Sequence, residues 1–267
     1  MTGSISTAFL ALPAALLYLF GAYRQWQTLN NKKEANKTLV LALGASAGAI
    51  HALLLAGSVV QHGGFNFGFF NVGIFISLVI SLLVIISSIS KPLENLLIAV
   101  FPMAALIILV DSVTPGSDKV SQLSGGLGWH IILSILAYSI LVIAAIQAVL
   151  LYMQNKQLKS HKTSGLIKAL PPLQTMDALL FEMIWIGMVL LTASFVIGWP
   201  YIIDIQGQHL LHKTALSIMS WLVFAVLLFG RFNFGWRGIT ASRLTLVGTG
   251  FLILAYFGSK FVLELVL

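Results

Sequence analysis

The chain contains no cysteine in 267 residues, which excludes structural disulfides, thiolate metal sites and thioether chemistry by its own side chains. Charge is nearly as scarce. Asp, Glu, Lys and Arg together make up 9% of the residues, against the roughly 25% typical of a soluble globule. Extended polar segments are missing too, so no separate soluble domain is expected. The words that announce catalysis (a Walker loop, a nucleophile elbow, HExxH, CxxC) do not occur, and the chain is therefore not expected to be an enzyme.

What is present is apolar: 58% of residues are hydrophobic and the mean hydropathy is +0.98. Crossing about 30 Å of hydrocarbon takes roughly 20 apolar residues in a helix. Eight stretches qualify, at residues 5–23, 38–59, 70–90, 93–112, 129–153, 178–202, 214–230 and 244–263. Their continuous apolar runs lack the alternation of a barrel strand, the other structure that can span a bilayer. The fold class predicted is all-α: a polytopic integral membrane helical bundle with eight transmembrane helices, forming a single transmembrane domain over residues 1–267 and embedded in the lipid bilayer.

Net charge is +7 with an isoelectric point near 9.7. The first apolar run has no Lys or Arg ahead of it and basic residues behind it, so it reads as a retained helix that starts outside rather than as a signal peptide. On that orientation the inner loops hold Arg24, Lys32, Lys33, Lys37, Lys91, Lys156, Lys159, Lys162, Lys168, Arg231, Arg237 and Arg243, leaving Lys119, Lys213 and Lys260 outside. The positive-inside rule then places both termini on the outer, periplasmic side. Charge spread over several loops in this way is topological, and no nucleic acid partner is expected.

Ionisable groups inside a bilayer are costly, so each is a functional candidate by default. His51 lies 13 residues into the second apolar stretch, about 20 Å along at helical rise, in the outer half of the membrane. His130 opens the fifth stretch from outside. His209 and His212, three residues apart, precede the seventh. Four of the six histidines thus gather toward the outer surface, and neutral imidazole is a good axial ligand for haem iron. The plain alternative for each is a hydrogen bond to a neighbouring helix or a place at the headgroup level. His62 and His161 read as solvated. Trp129, Trp199, Tyr201, Trp26 and Trp236 fit interfacial belts. Glu182 and Asp111 are short-range pairing candidates that could also serve an ion, although no paired Gly/Pro interruptions of a transporter are found.

The words GWHIILSILAYSILVIAAIQAVLLYMQNKQLK at 128–159, LPPLQTMDALLFEMIWIGMVLLTASFVIG at 170–198 and HKTALSIMSWLVFAVLLFGRFNFGWRG from 212 onward carry a resemblance. In order and spacing they resemble the cytochrome c assembly protein family, the integral membrane group that includes CcsA, CcmC and HemX, and most closely its YpjD-like branch. A weaker similarity runs upstream through IHALLL, which contains His51, and FNVGIFISLVIS.

The resemblance implies haem handling at the outer face of a bacterial inner membrane, in cytochrome c biogenesis or in regulation of haem synthesis. The cofactor it implies is b-type, non-covalent haem, with other membrane proteins as partners. The family's first external histidine carries over to His130, which makes His130 a metal ligand. Lys213 and Trp221 carry over by position. The outer loop WPYIIDIQGQHLLHKT has Trp199 as its only tryptophan, the family's Gly-Leu-His word after the last helix is replaced by YFGSKFVLELVL, and Arg231 stands near where a further histidine is found. The haem-delivery signature is therefore incomplete. The replacement ligand expected is His51, as a second metal ligand, or His212 at the cofactor-binding site. The alternative expectation is a non-catalytic membrane partner or regulator that kept the fold and lost haem binding.

Overall fold

The computed structural model describes residues 2–30, 36–62, 65–66, 68–114, 120–121, 125–160, 170–201 and 211–258. Helix dominates, as it must where no water is available to satisfy a backbone amide. The helices are α1 (Thr2–Leu29), α2 (Lys37–His62), α3 (Phe69–Ser90), α4 (Leu97–Val113), α5 (Gly125–Lys159), α6 (Leu173–Gly198), α7 (Leu211–Phe234) and α8 (Gly238–Ile253). Single 3-10 turns precede α4 at Glu94–Leu96 and follow α6 at Trp199–Tyr201, and a π turn at Leu254–Gly258 extends α8. Among the described residues, the helical segments from α2 to α8 are long and apolar enough to cross a membrane. α1, at 28 residues, is of matching length. The all-α membrane bundle expected from the apolar runs is what the chain forms.

Helix ends follow local chemistry. α3 stops at Ser90, where the Lys91 amide caps the Ser87 carbonyl and Pro92 has no amide to continue the ladder. The Pro171–Pro172 pair sets the start of α6, with Pro172 as its N-cap and the Met176 amide on the Pro172 carbonyl. Between α7 and α8 the chain turns through Gly235-Trp236-Arg237-Gly238. The φ angles of Gly235 and Gly238, 64° and 54°, fall in the left-handed region that glycine adopts without strain.

The helices gather into two compact units. The first comprises residues 1–122 with 164–170, the second residues 123–163 with 171–267. In the first unit α1 packs on α2 and α4, and α3 packs on α4 and α2. Small residues make the close approaches, as helices surrounded by lipid require. A methyl group on Gly21 would come within 3.0 Å of the Phe101 ring, and one on Gly44 would overlap it. Phe101 is fully buried and lies 5.2 Å from the Tyr18 ring, centroid to centroid. A two-residue antiparallel pair, β1 (Phe65–Asn66) with β2 (Val120–Ser121), registers Phe65 opposite Ser121 and joins two connections of this unit. A Gln25 to Asn95 hydrogen bond of 3.3 Å and a Lys37–Glu94 ion pair of 3.6 Å add polar ties.

In the second unit α5 packs on α6 and α8, and α7 packs chiefly on α8. Gly187 of α6 admits Leu141 of α5, and Gly248 of α8 admits Phe224 of α7. Polar side chains sew the same contacts to main chain. Ser220 donates to the Gly248 carbonyl at 2.7 Å, Thr249 to Leu141 at 3.2 Å, Gln147 to Met176 at 3.2 Å and Gln154 to Pro171 at 2.9 Å.

Candidate functional site

His130 sits in the second turn of α5, half-buried, two residues after the buried Gly128. Its ring reaches across to α6, where Nδ1 lies 2.8 Å from the Ser194 carbonyl oxygen and 3.1 Å from the Ser194 hydroxyl. A carbonyl only accepts, so the contact with the Ser194 carbonyl is a hydrogen bond when Nδ1 carries the hydrogen. The Ser194 Oγ is 2.6 Å from Ser134 Oγ, and Ser134 donates to the His130 carbonyl at 2.7 Å. The three groups close a circuit: imidazole to Ser194, Ser194 to Ser134, Ser134 back to the His130 main chain. Gly198, one turn beyond Ser194, has no room for a side chain because the His130 ring occupies that space.

With Nδ1 as donor, the neutral ring presents the Nε2 lone pair. This is how metal-ligating histidines are commonly held, the second ring nitrogen fixed by a carbonyl or carboxylate. Exposed aromatic residues flank the same end of the α5–α6 pair: Trp129 on α5, then Trp199 and Tyr201 on the turn after α6. Tyr201 folds back so that its ring fills the space beside Gly126.

His51 has the opposite surroundings. It is fully buried in the first unit, with the Tyr18 ring edge-on at 6.2 Å. Neither ring nitrogen has a well-formed hydrogen bond, and neither does the Tyr18 hydroxyl. The Ile74 carbonyl lies near His51 but accepts the Ser77 hydroxyl at 2.9 Å, while Ser81, near Tyr18, donates to the Ser77 carbonyl at 2.8 Å. A polar ring is enclosed here with neither nitrogen well bonded.

The remaining candidates are scattered. His212 is exposed on the first turn of α7, beside Lys213, whose ammonium lies 5.9 Å from the Tyr256 ring centroid. His212 and His130 share no hydrogen bond among the described residues. Glu182 is exposed on α6 and Asp111 is half-buried near the end of α4. His161, His209 and the side chain of His62 lie outside the described residues. His51 belongs to the first unit and His130 to the second. Among the described residues no three His, Asp or Glu side chains gather as a metal site. Among the described histidines, His130 has one ring nitrogen engaged by the protein in the way that leaves the other available to a metal.

On the face of α6 turned toward α7, a cleft of about 740 Å³ opens between walls of Trp185, Met188, Thr192, Val196, Trp221 and Leu228. Its walls are apolar, and the Trp221 indole donates to the Thr192 hydroxyl at 2.9 Å, so these two polar groups satisfy each other. His130 and Ser194 are not part of it.

At the other end of α6, Asp177 accepts from Arg231 at 2.8 Å and from the Gly238 amide at 3.0 Å. Arg231 also donates to the Trp236 carbonyl at 3.2 Å and stacks 4.3 Å from the Phe181 ring centroid. One carboxylate thereby fastens α6, α7 and α8. The sequence marks Arg231 as a loop charge and as standing near a family histidine, and assigns no function to Asp177, Ser134, Ser194, Gly198 or Thr192. The Ser-x-x-x-Gly spacing of 194–198 was the available signal, a small-residue pair on one helix face.

Helices of membrane-spanning length define a polytopic helical membrane protein, with the His130–Ser194 contact at one end of the α5–α6 pair. The chain belongs to the cytochrome c assembly protein family, whose description, "Cytochrome C assembly protein", matches residues 39–267. It is similar to the inner membrane protein YpjD of Escherichia coli strain K12, with 33% identity over 220 residues that cover 81% of this chain and 83% of that one. It is also similar to the cytochrome c biogenesis protein CcsA of Prochlorococcus marinus strain MIT 9215, with 27% identity over 199 residues, 66% of this chain and 63% of that one. No solved structure matches the chain. The family, the relatives and the helices together make it a multi-pass inner membrane protein of the YpjD-like branch.

Proposed function

We propose that this protein handles haem in the inner membrane, binding it without a covalent link, and that His130 Nε2 would help to hold its iron. The observation that carries the reading is the 2.8 Å contact of Nδ1 with the Ser194 carbonyl, which leaves the lone pair on Nε2 when Nδ1 donates. Bound haem supplies an iron centre that can be relayed to cytochrome c biogenesis or sensed in regulation of haem synthesis. The chain's own work is to hold and orient: Ser194 aims the ring, and the exposed Trp129, Trp199 and Tyr201 offer apolar faces at the same end. His212, exposed and in the same unit, is preferred over the enclosed His51 as a second ligand. No catalytic role is proposed, and the partners are membrane proteins that give or take haem.

Detergent-purified protein titrated with haem should develop a Soret band that His130→Ala abolishes and His212→Ala weakens. Wild-type protein that stays colourless at saturating haem overturns the reading. The closed packing around His51 favours a second one, a membrane partner that kept the fold without the cofactor. Under it, simultaneous replacement of His51, His130, His209 and His212 leaves the cellular phenotype of the protein unchanged. Under the first, that replacement reproduces the deletion.

A further inference from the structure

We infer that Ser194 and Gly198 of α6 are positioning residues that lock His130 in the Nδ1–H tautomer, a cradle that selects which nitrogen ligates. The inference rests on the reading of His130 as a haem ligand and names the residues that would control it. Neutral imidazole in water exchanges between two tautomers, and free histidine favours the one protonated at Nε2, whose lone pair is on Nδ1. In this chain Nδ1 faces two oxygens of Ser194, one of them a carbonyl that has no proton to give. A lone pair on Nδ1 would meet the carbonyl lone pair at 2.8 Å, leaving both acceptors without a hydrogen between them, which is unfavourable. The Nδ1–H form makes the bond instead.

The rest of the cradle removes the ring's other options. Ser194 is 1% exposed, so water does not compete for its carbonyl. Its hydroxyl is engaged with Ser134, which returns to the His130 carbonyl, so the hydroxyls are spoken for when Nδ1–H donates. Gly198 supplies the space: with any side chain there, the ring could not lie flat against the turn of α6. Ser194 and Gly198 stand four residues apart on the face that α6 turns to α5, one offering the acceptor and the other the gap.

The test reads the tautomer directly in protein free of haem. With ¹⁵N-histidine labelling and His130 assigned by its loss in His130→Ala, the wild-type ring should show a protonated Nδ1 and an unprotonated Nε2 at neutral to mildly alkaline pH. Gly198→Ala should move the ring toward the Nε2–H form and weaken haem binding roughly 10- to 100-fold, the usual loss for a disrupted partner of a ligand. Ser194→Ala keeps the carbonyl and should keep the tautomer, with a loss of only a few-fold. A wild-type spectrum with Nε2 protonated overturns the inference, whatever Gly198→Ala does and even if that variant does not fold. Gly198→Ala with an unchanged tautomer overturns the part assigned to Gly198. Wild type with the Nδ1–H form that binds no haem supports the cradle and overturns the haem reading, so the two failures are distinguishable.

Discussion

Two of the described histidines, His51 on α2 and His130 on α5, differ in almost every respect that bears on ligation. His130 is half-buried, bonded through one nitrogen and free at the other. His51 is wholly enclosed and bonded through neither. Metal-ligating histidines commonly have one ring nitrogen satisfied by the protein, and the Ser194 contact meets that condition for His130. His51 has no such contact of good geometry. Burying a polar group without a well-formed hydrogen bond costs stability, and His51 and Tyr18 carry such a cost in the first unit.

The sharpest way to break the contrast is to unseal His51. Phe101 fills the space against Gly21, Gly44 and Tyr18, and Phe101→Ala should cost about 3 to 5 kcal/mol through the cavity it leaves. In detergent-purified wild type, diethyl pyrocarbonate should modify His130 and spare His51. The Phe101 variant should have a lower unfolding midpoint and become reactive at His51. Equal reactivity of the two histidines in wild type would mean that the enclosure is not what protects His51.

A second change strikes the helix that holds the cradle, from its far end. Asp177→Ala removes the carboxylate that Arg231 and the Gly238 amide share, leaving a partly buried guanidinium unpaired. The loss expected is about 2 kcal/mol, below the full value for a buried pair because Arg231 keeps its bond to Trp236. Chemical denaturation measures it. Asp177→Asn, which retains an acceptor for Gly238, should recover part of the loss.

Smaller and opposite in sign is His51→Leu. Replacing a buried group that has no partner by an apolar one of similar size removes a desolvation penalty, so stability should be unchanged or rise by about 1 kcal/mol. The corresponding change at His130 strands the Ser194 acceptor and should destabilise. Destabilisation by His51→Leu as large as that from His130→Leu would show that the buried ring has a partner, such as a trapped water, and would erase the contrast.

The fold was legible in the sequence because a membrane asks so little of a helix: length and apolarity suffice, and all eight apolar runs match helices. Their ends were less legible. α5 runs from Gly125 to Lys159, beyond the 129–153 core, since nothing in the polar QNKQLK tail breaks a helix. The Phe65–Asn66 and Val120–Ser121 pairing depends on a contact between distant loops that no local pattern announces. The site was half legible. His130 stood out as a polar residue at the head of an apolar run, but its partner is a main-chain carbonyl 64 residues away, and every residue has a carbonyl. Helical rise places His51 along α2, but that its side chain is enclosed depends on packing such as the Tyr18 ring, which pattern alone does not position. Asp177 and Arg231 read as ordinary ends of separate segments until the tertiary contact joined them.

The smallest effect separates the two faces of α6. Ser194 and Gly198 face α5 and hold His130, whereas Thr192 and Val196 face the cleft shared with Trp221. Trp221→Phe keeps a ring in the cleft and deletes the hydrogen bond to Thr192. Polar contacts between membrane helices contribute about 0.6 kcal/mol on average, because the separated helices find other partners. The variant should therefore lose about that much by denaturant titration and leave the ¹⁵N signature of His130 where it was. A shifted His130 signature would mean that the α6–α7 bond helps to set the height of Ser194 against α5. The cleft and the cradle would then be one device, and the residues that steer His130 would extend to Trp221, the position the family resemblance picks out without supplying a reason.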